Sequence, residues 1–166
     1  ITKDPVVASA YLNKLSDIMR FMLYETKTEN ICLQKELTYI EKYIDLQKIR
    51  STNHNFVQYN FEGNASQWMI APMLFIPFIE NAFKHSLNKK TDQTIVVQII
   101  VKEKELVFYC ENQFSENRIT DKEPGGLGNE LIEKRLQLLY PGKYSLQRIK
   151  EGNIYKVYLS IYNYEN

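Results

Sequence analysis

The apolar residues change their period near residue 53, and that change constrains the fold more than any other feature of the chain. Upstream, Leu12, Leu15, Ile18 or Met19 and Met22 recur at three- and four-residue steps, as do Leu33, Leu37, Ile40 and Ile44. This is the spacing of helices that each bury one stripe. It predicts helices over roughly 5–25 and 33–50, joined by the polar stretch Glu25–Asn30. The second helix carries charges between its apolar positions, which suits packing on the first or zipping to a partner chain. Downstream, short runs of β-formers alternate with longer helical patterns. Strands are expected at 56–61, 95–101, 105–110, 144–149 and 154–161. Lys102-Glu103-Lys104 and Glu151-Gly152-Asn153 join two hairpins, and helices are expected at about 66–88 and 128–140, the latter stopped by Pro141-Gly142. Strand, helix, hairpin, helix, hairpin predicts an α+β two-layer sandwich, a mixed sheet covered on one face by helices. The boundary falls between residues 1–52 and 53–166. Gln113–Pro124 has no periodic pattern and reads as a loop.

With 44% hydrophobic residues and only six glycines and five prolines among 166 residues, the chain can build a core, which excludes disorder as its main state. Lys and Arg number 21 against 20 Asp and Glu, and a net charge of +1 argues against a counterion-displacing grip on nucleic acid. The twelve tyrosines are dispersed and form no base-stacking platform. Cys32 and Cys110 lie far apart, which excludes a zinc knuckle or disulfide framework and fits a reducing compartment. The longest apolar stretch, Trp68–Ile79, contains two prolines and falls short of the roughly 20 residues a spanning helix needs. The chain starts at Ile1 with no signal pattern, so a fragment or processed chain is expected.

Chemistry concentrates in the segment 72–88. At about 100° per residue, Phe75, Phe78, Ile79, Ala82 and Phe83 share an apolar face, while Glu80, Asn81, Lys84, His85 and Asn88 share an opposing arc. An asparagine oxygen is a hard ligand for Mg²⁺, Lys84 and a protonated His85 neutralise phosphate, and Glu80 can accept a proton or hold a water. The same arc is also what a solvated helix face with a Glu80–Lys84 pair looks like. A second signal is Gly125-Gly126-Leu127-Gly128-Asn129, leading into a helix with Leu131, Ile132, Leu136 and Leu139 as its buried stripe. Glycines before a helix let backbone N–H groups approach an anion, whereas an ordinary glycine loop capped by Asn129 needs no ligand. No Gly-Lys-Ser/Thr follows, so this is not a Walker A loop, and no strand feeds the glycines as a dinucleotide fingerprint requires. His54 lies in a polar turn and Trp68 at a helix entry, and both read as structural.

The order of these parts is more specific than any one of them. Pro77-Phe78-Ile79-Glu80-Asn81-Ala82-Phe83-Lys84-His85, a hairpin ending Cys110-Glu111-Asn112, Gly125-Gly126-Leu127-Gly128, and Lys134-Arg135-Leu136-Gln137-Leu138-Leu139-Tyr140-Pro141 follow one another. The series resembles the ATP-binding domain of LytS-like sensor histidine kinases, within the GHKL superfamily. Leu15–Phe21 and Leu33–Ile44 resemble the helices that link that family's phosphoacceptor region to its ATP domain. The resemblance implies a Bergerat-type fold over 53–166 and a linker and dimerisation segment over 1–52. It implies Asn81 as the Mg²⁺ ligand, Lys84 and His85 near the phosphates, and Glu80 polarising the attacking group. It makes Gly125, Gly126, Leu127 and Gly128 part of an ATP lid, and Asn112 the residue facing the adenine amino group. Ile79, Phe83 and Leu127 are candidates for the pocket lining, with a core role open for Ile79 and Phe83.

The implied cofactors are ATP and Mg, and the implied partners are a response regulator and a second copy of the kinase. The implied location is the cytoplasmic side of a bacterial inner membrane, reached through segments outside this sequence. Three departures stand beside the resemblance. Asn112-Gln113-Phe114-Ser115 replaces the superfamily's Asp-x-Gly-x-Gly, Asn129-Glu130-Leu131 replaces Leu-x-Asn, and no Asn-Pro-His-Phe-like phosphoacceptor motif is present. The first motivates an alternative, a pseudokinase or nucleotide-sensing scaffold. A serine kinase of the anti-sigma-factor type fits less well with the two linker helices.

Overall fold

The computed structural model describes residues 5–49, 51–86, 94–114 and 126–163. Helix α1 spans Pro5–Tyr24 and α2 spans Leu33–Ile49, with the two-residue strand β1, Ile31–Cys32, just ahead of α2. Lys14 pairs with Asp45 at 2.6 Å and Lys42 with Asp17 at 2.9 Å. The partners climb one helix as they descend the other, so α1 and α2 run antiparallel. Exposed pairs of this kind fix register more than they stabilise. The packing comes from Tyr11, Leu15, Ile18 and Phe21, with the Phe21 ring 4.4 Å from Tyr39. Leu12, Met19 and Met22, also on the expected stripe, stay largely exposed.

Strand β2 spans Val57–Glu62, and β3, Met69–Ile70, pairs antiparallel with β1. Helix α3 is Ile76–His85, and β4, Ile95–Val101, and β5, Glu105–Gln113, form the first hairpin. Helix α4, Gly126–Leu139, precedes the second hairpin of β6, Tyr144–Glu151, and β7, Ile154–Tyr162. The five-stranded sheet has the order β2-β4-β5-β7-β6, parallel at β2–β4 and antiparallel elsewhere. This is the two-layer α+β sandwich with a mixed sheet that the alternation of patterns predicts.

The inner face of the sheet alternates as period two requires: Ile95, Val97 and Ile99 on β4, Leu106, Phe108 and Cys110 on β5, and Val157, Leu159 and Ile161 on β7 are buried. Helix α3 lies over β5, with the Phe75 ring stacked on Phe108 at 4.8 Å and 12° and Phe78 tilted against it at 5.6 Å. Phe83 meets Phe56 edge-on at 5.7 Å and Tyr43 of α2 at 5.6 Å, so the α2 stripe joins the same core.

Two element boundaries depart from the sequence expectation. The segment expected to be helical over 66–88 is a single 3-10 turn at Ala65–Gln67, then β3, then a turn, and only then α3. Pro72 explains the break, because proline lacks the N–H of a helix interior and disfavours helical geometry in its predecessor, whereas Pro77 is tolerated in the first turn of α3, where its missing N–H would be unpaired anyway. Helix α4 starts at Gly126, so Asn129 lies inside the helix and is not its cap. The α4 stripe is also rotated: Leu136 is buried and Ile132 packs on the core, but Leu131 and Leu139 are 57% and 44% exposed. The core-facing phase includes Arg135 instead. Among the described residues no helix is long and apolar enough to cross a membrane.

Candidate functional site

All five residues of the α3 apolar face are buried, Ile79 and Phe83 among them, so these two serve the core. The opposing arc turns outward as its wheel position requires: Asn81 is half-buried, and Glu80, Lys84 and His85 are exposed. Partial burial raises the Glu80 carboxyl above its ordinary value. Partial burial first, and then the Lys84 ammonium, lower His85 from 6.5, so its imidazole is neutral at pH 7. The protonated His85 anticipated from sequence is thus disfavoured in the free chain. Asn88 lies outside the described residues.

The turn ahead of α3 is held by residues from two other helices. Phe75, the residue that caps α3, offers no side-chain acceptor. Glu36 of α2, 0% exposed, supplies it instead, with its Oε2 accepting the Met73 N–H at 2.9 Å and its Oε1 the Phe75 N–H at 3.2 Å. Burial pushes the Glu36 carboxyl up, while the backbone donors of Met73, Phe75 and Leu74 and the positive charge of Arg135 pull it back. On the other side, Arg135 of α4 donates to the Met73 carbonyl at 2.7 Å and to the Pro72 carbonyl. The Ala71 N–H donates to the Tyr140 hydroxyl at 2.8 Å. Met73 has φ 59, a left-handed conformation that a non-glycine residue keeps only when its surroundings over-determine it. Bonds to both its N–H and its carbonyl do so here.

The far end of β5 presents Asn112 on the inner face, 4% exposed, its amide donating to the Gln113 carbonyl at 3.4 Å. In register beside it on β7 is Tyr155, whose phenol is raised by burial and drawn down by Arg148 and by a hydrogen bond from Asn129. Arg148 of β6 ion-pairs with Glu133 and reaches the Asn129 carbonyl at 3.5 Å. Asn112, Tyr155, Arg148 and the first turns of α4 therefore meet at one end of the sheet. Gly126 and Gly128 belong to the first turn of α4, and a Cβ at Gly128 would meet nothing within 4 Å. Gly125, the segment 115–125 and the Leu127 side chain lie outside the described residues.

A family model described as histidine kinase matches residues 1–55. The sensor protein kinase HptS of Staphylococcus aureus is 29% identical over 112 residues, 68% of this chain. The chain spans 21% of the length of that relative. Both matches are histidine or sensor kinases, and that is the family the chain resembles. The fold agrees: the histidine kinase AdeS of Acinetobacter baumannii superposes with TM-score 0.53 at 11% identity, over 98% of this chain and 86% of that one. The kinase domain of a blue-light activated histidine kinase from Erythrobacter litoralis gives 0.51 at 15% identity, over 93% and 74%.

Sequence reasoning put the α3 arc on the outward face and Asn112 on the inner face of β5, where the structure has them, but gave no such role to Glu36, Arg135 and Tyr140. A signal was available for the first two. Glu36 sits at a core phase of the stripe Leu33, Leu37, Ile40, Ile44, and Arg135 at a core phase between Ile132 and Leu136. A charge on an apolar stripe is expensive unless it is paired, which points to a buried partner. The partner here is backbone, which no side-chain pattern reveals. The residues present fit a magnesium nucleotide. Asn81 offers a hard oxygen on a half-exposed face, and Asn112 offers a nearly buried amide whose contact with Gln113 is long.

Proposed function

We propose that this chain is the ATP-binding catalytic part of a sensor histidine kinase, which takes Mg-ATP and delivers its γ-phosphate to a histidine for onward transfer to a response regulator. The observation that carries the reading is the pairing of the Asn81 arc on α3 with a nearly buried Asn112 at the end of β5, both on the helix side of the sheet. Asn112 would accept from the adenine amino group through its amide oxygen, Asn81 would hold Mg²⁺, and Lys84 would face the phosphates. The bound ion would supply charge neutralisation on the phosphate oxygens. Glu80, whose carboxyl ionises above its ordinary range, would hold the attacking group or its proton. Phosphoryl transfer asks a protein mainly for positioning and charge stabilisation, and a helix-borne amide and ammonium can supply both.

Neither His54, exposed in a single 3-10 turn, nor His85, on α3 itself, suits the acceptor, so we assign that role to a histidine outside these 166 residues. LytS-like membership, pairing of two copies through the helices of 1–52, and a cytoplasmic location are parts of the same proposal. The exposed Leu12, Met19 and Leu23 on α1 support the pairing. Calorimetry with a nonhydrolysable ATP analogue and Mg²⁺ tests the reading. The expected result is binding that Asn81→Ala weakens at least tenfold, the loss of one metal-held contact. No binding by the parent chain, or full affinity in Asn81→Ala, would sink it. A nucleotide-sensing pseudokinase is favoured by one observation, Asn112 in place of the superfamily's aspartate. It predicts binding without label transfer to a histidine-bearing segment supplied in trans.

A further inference from the structure

Helix α2 does more than lead into the sandwich. Its start is joined to the segment ahead of α3 at every step: Ile31 pairs with Ile70 and Cys32 with Met69, the Leu33 N–H donates to the Trp68 carbonyl at 2.8 Å, and Glu36 takes the N–H groups of Met73 and Phe75. The same turn meets α4 through its carbonyls, at Pro72 and Met73, which receive Arg135. Peptide groups 72–75 therefore lie between a buried carboxylate on their N–H side and a guanidinium on their carbonyl side. A carboxylate accepting from backbone amides and a guanidinium donating to carbonyls make charge-assisted bonds, stronger and more directional than neutral ones. A buried acceptor of this kind cannot be replaced by water without loss.

We propose that Glu36 and Arg135 are positioning residues that act through the 72–75 turn, fixing the Asn81 helix and the glycine-started helix relative to α2. A displacement of α2 is then felt at both walls of the nucleotide site. Glu36 and Arg135 also sense each other's charge, but the hydrogen bonds that link them run through the turn, Glu36 on its N–H groups and Arg135 on its carbonyls. Two features argue that the turn is a stiff link. Its left-handed Met73 is held at both its N–H and its carbonyl, and α3 has no local side-chain cap to keep its first turn in place without Glu36. The inference rests on the nucleotide reading for its consequence, but not for its mechanics.

The test uses the 166-residue chain as Glu36→Gln, Arg135→Lys and the double variant, with Lys42→Ala as a control that breaks only the α1–α2 ion pair at 2.9 Å. Glutamine keeps one acceptor but turns an N–H donor toward one of the two backbone N–H groups. Thermal melts identify the folded variants, hydrogen exchange is followed over 76–85 and 126–139, and affinity for Mg²⁺ with a nonhydrolysable ATP analogue is measured by calorimetry. Glu36→Gln is expected to speed exchange in α4 as well as α3 and to weaken nucleotide binding about tenfold, within the usual range of coupling between sites. The double variant is expected to lose no more than the stronger single, because both act on one turn. A folded Glu36→Gln with α4 exchange unchanged, or single effects that simply add, overturns the proposal. If Glu36→Gln does not fold, Arg135→Lys is read the same way, with exchange in α3 as the remote signal. A parent chain that binds no nucleotide defeats the ATP reading alone, since the exchange arm still decides whether the turn couples the helices.

Discussion

Replacing Asn112 by aspartate changes one NH2 for an oxygen at a site that is 4% exposed, and it sets stability and nucleotide binding in opposite directions. In the free chain the new carboxylate loses its water and would face the Gln113 carbonyl, to which the amide now donates at 3.4 Å. Burial of this degree raises a carboxyl by about two units or more, and at 1.36 kcal/mol per unit the penalty above the folded pKa is about 3 kcal/mol. The sign follows from proton linkage. The folded variant holds its proton to higher pH than the unfolded chain, so the variant approaches the parent near pH 4. It falls behind as pH rises through the folded pKa, and the gap is constant beyond it. With a nucleotide bound as proposed, the same oxygen would accept from the adenine amino group, and a charged acceptor makes roughly twice the bond of a neutral one. Urea midpoints of variant and parent from pH 4 to 8 read the first effect, and calorimetry with the ATP analogue at pH 7.5 reads the second. A stability difference independent of pH would refute the burial argument. Weaker nucleotide binding in a fully folded variant would refute the placement of adenine at this residue.

Gly63 has φ 104, and a Cβ there would meet the Val101 carbonyl oxygen at 2.6 Å. Gly63→Ala should therefore cost about 2–4 kcal/mol through backbone strain and a clash with main chain, read as a drop in thermal midpoint with the strand content of the folded fraction unchanged. His85, lowered from 6.5 by burial and then by Lys84, binds fewer protons folded than unfolded between its folded pKa and 6.5. Stability should fall as pH drops through that window, and His85→Gln should remove this part of the acid sensitivity in pH-dependent melts.

What was legible in the sequence was whatever a period records. The alternation Leu106, Phe108, Cys110 fixed the inner face of β5 and carried Asn112 onto it, and the spacing of Phe75, Phe78, Ile79, Ala82 and Phe83 fixed which side of α3 faces the sheet. The helix expected from residue 66 failed for a local reason. The apolar run 68–79 fits a helix period until Pro72 is given its weight as a breaker. The α4 stripe failed for a tertiary one. Leu131 and Leu139 are as apolar as Leu136, yet Arg135 takes the inward phase because two carbonyls of a turn over sixty residues upstream need its donors. Glu36 repeats that logic from the other side. Strand pairing between Ile31–Cys32 and Met69–Ile70 was invisible because two-residue strands carry no period.

The charge on the α3 arc is also smaller than its letters suggest, and this bears on how such a face could take a polyphosphate. Glu80 is shifted toward its neutral form, chiefly by burial, and His85 is shifted toward its neutral form by burial and by its neighbour. Each shift reduces the cost of holding an acid, an ammonium and an imidazole on adjacent turns of one helix. Lys84 remains the formal cation there, beside the uncharged Asn81. A bound polyphosphate would reverse the balance at His85, because an anion near an imidazole favours its protonated form, and the arc would gain positive charge as the ligand brings negative charge. Glu80 would be pushed the same way, toward keeping its proton, by the same anion. The face thus adjusts both titratable groups in the direction that lowers repulsion. The fixed geometry that this adjustment needs is supplied from behind, by a turn held between Glu36 and Arg135.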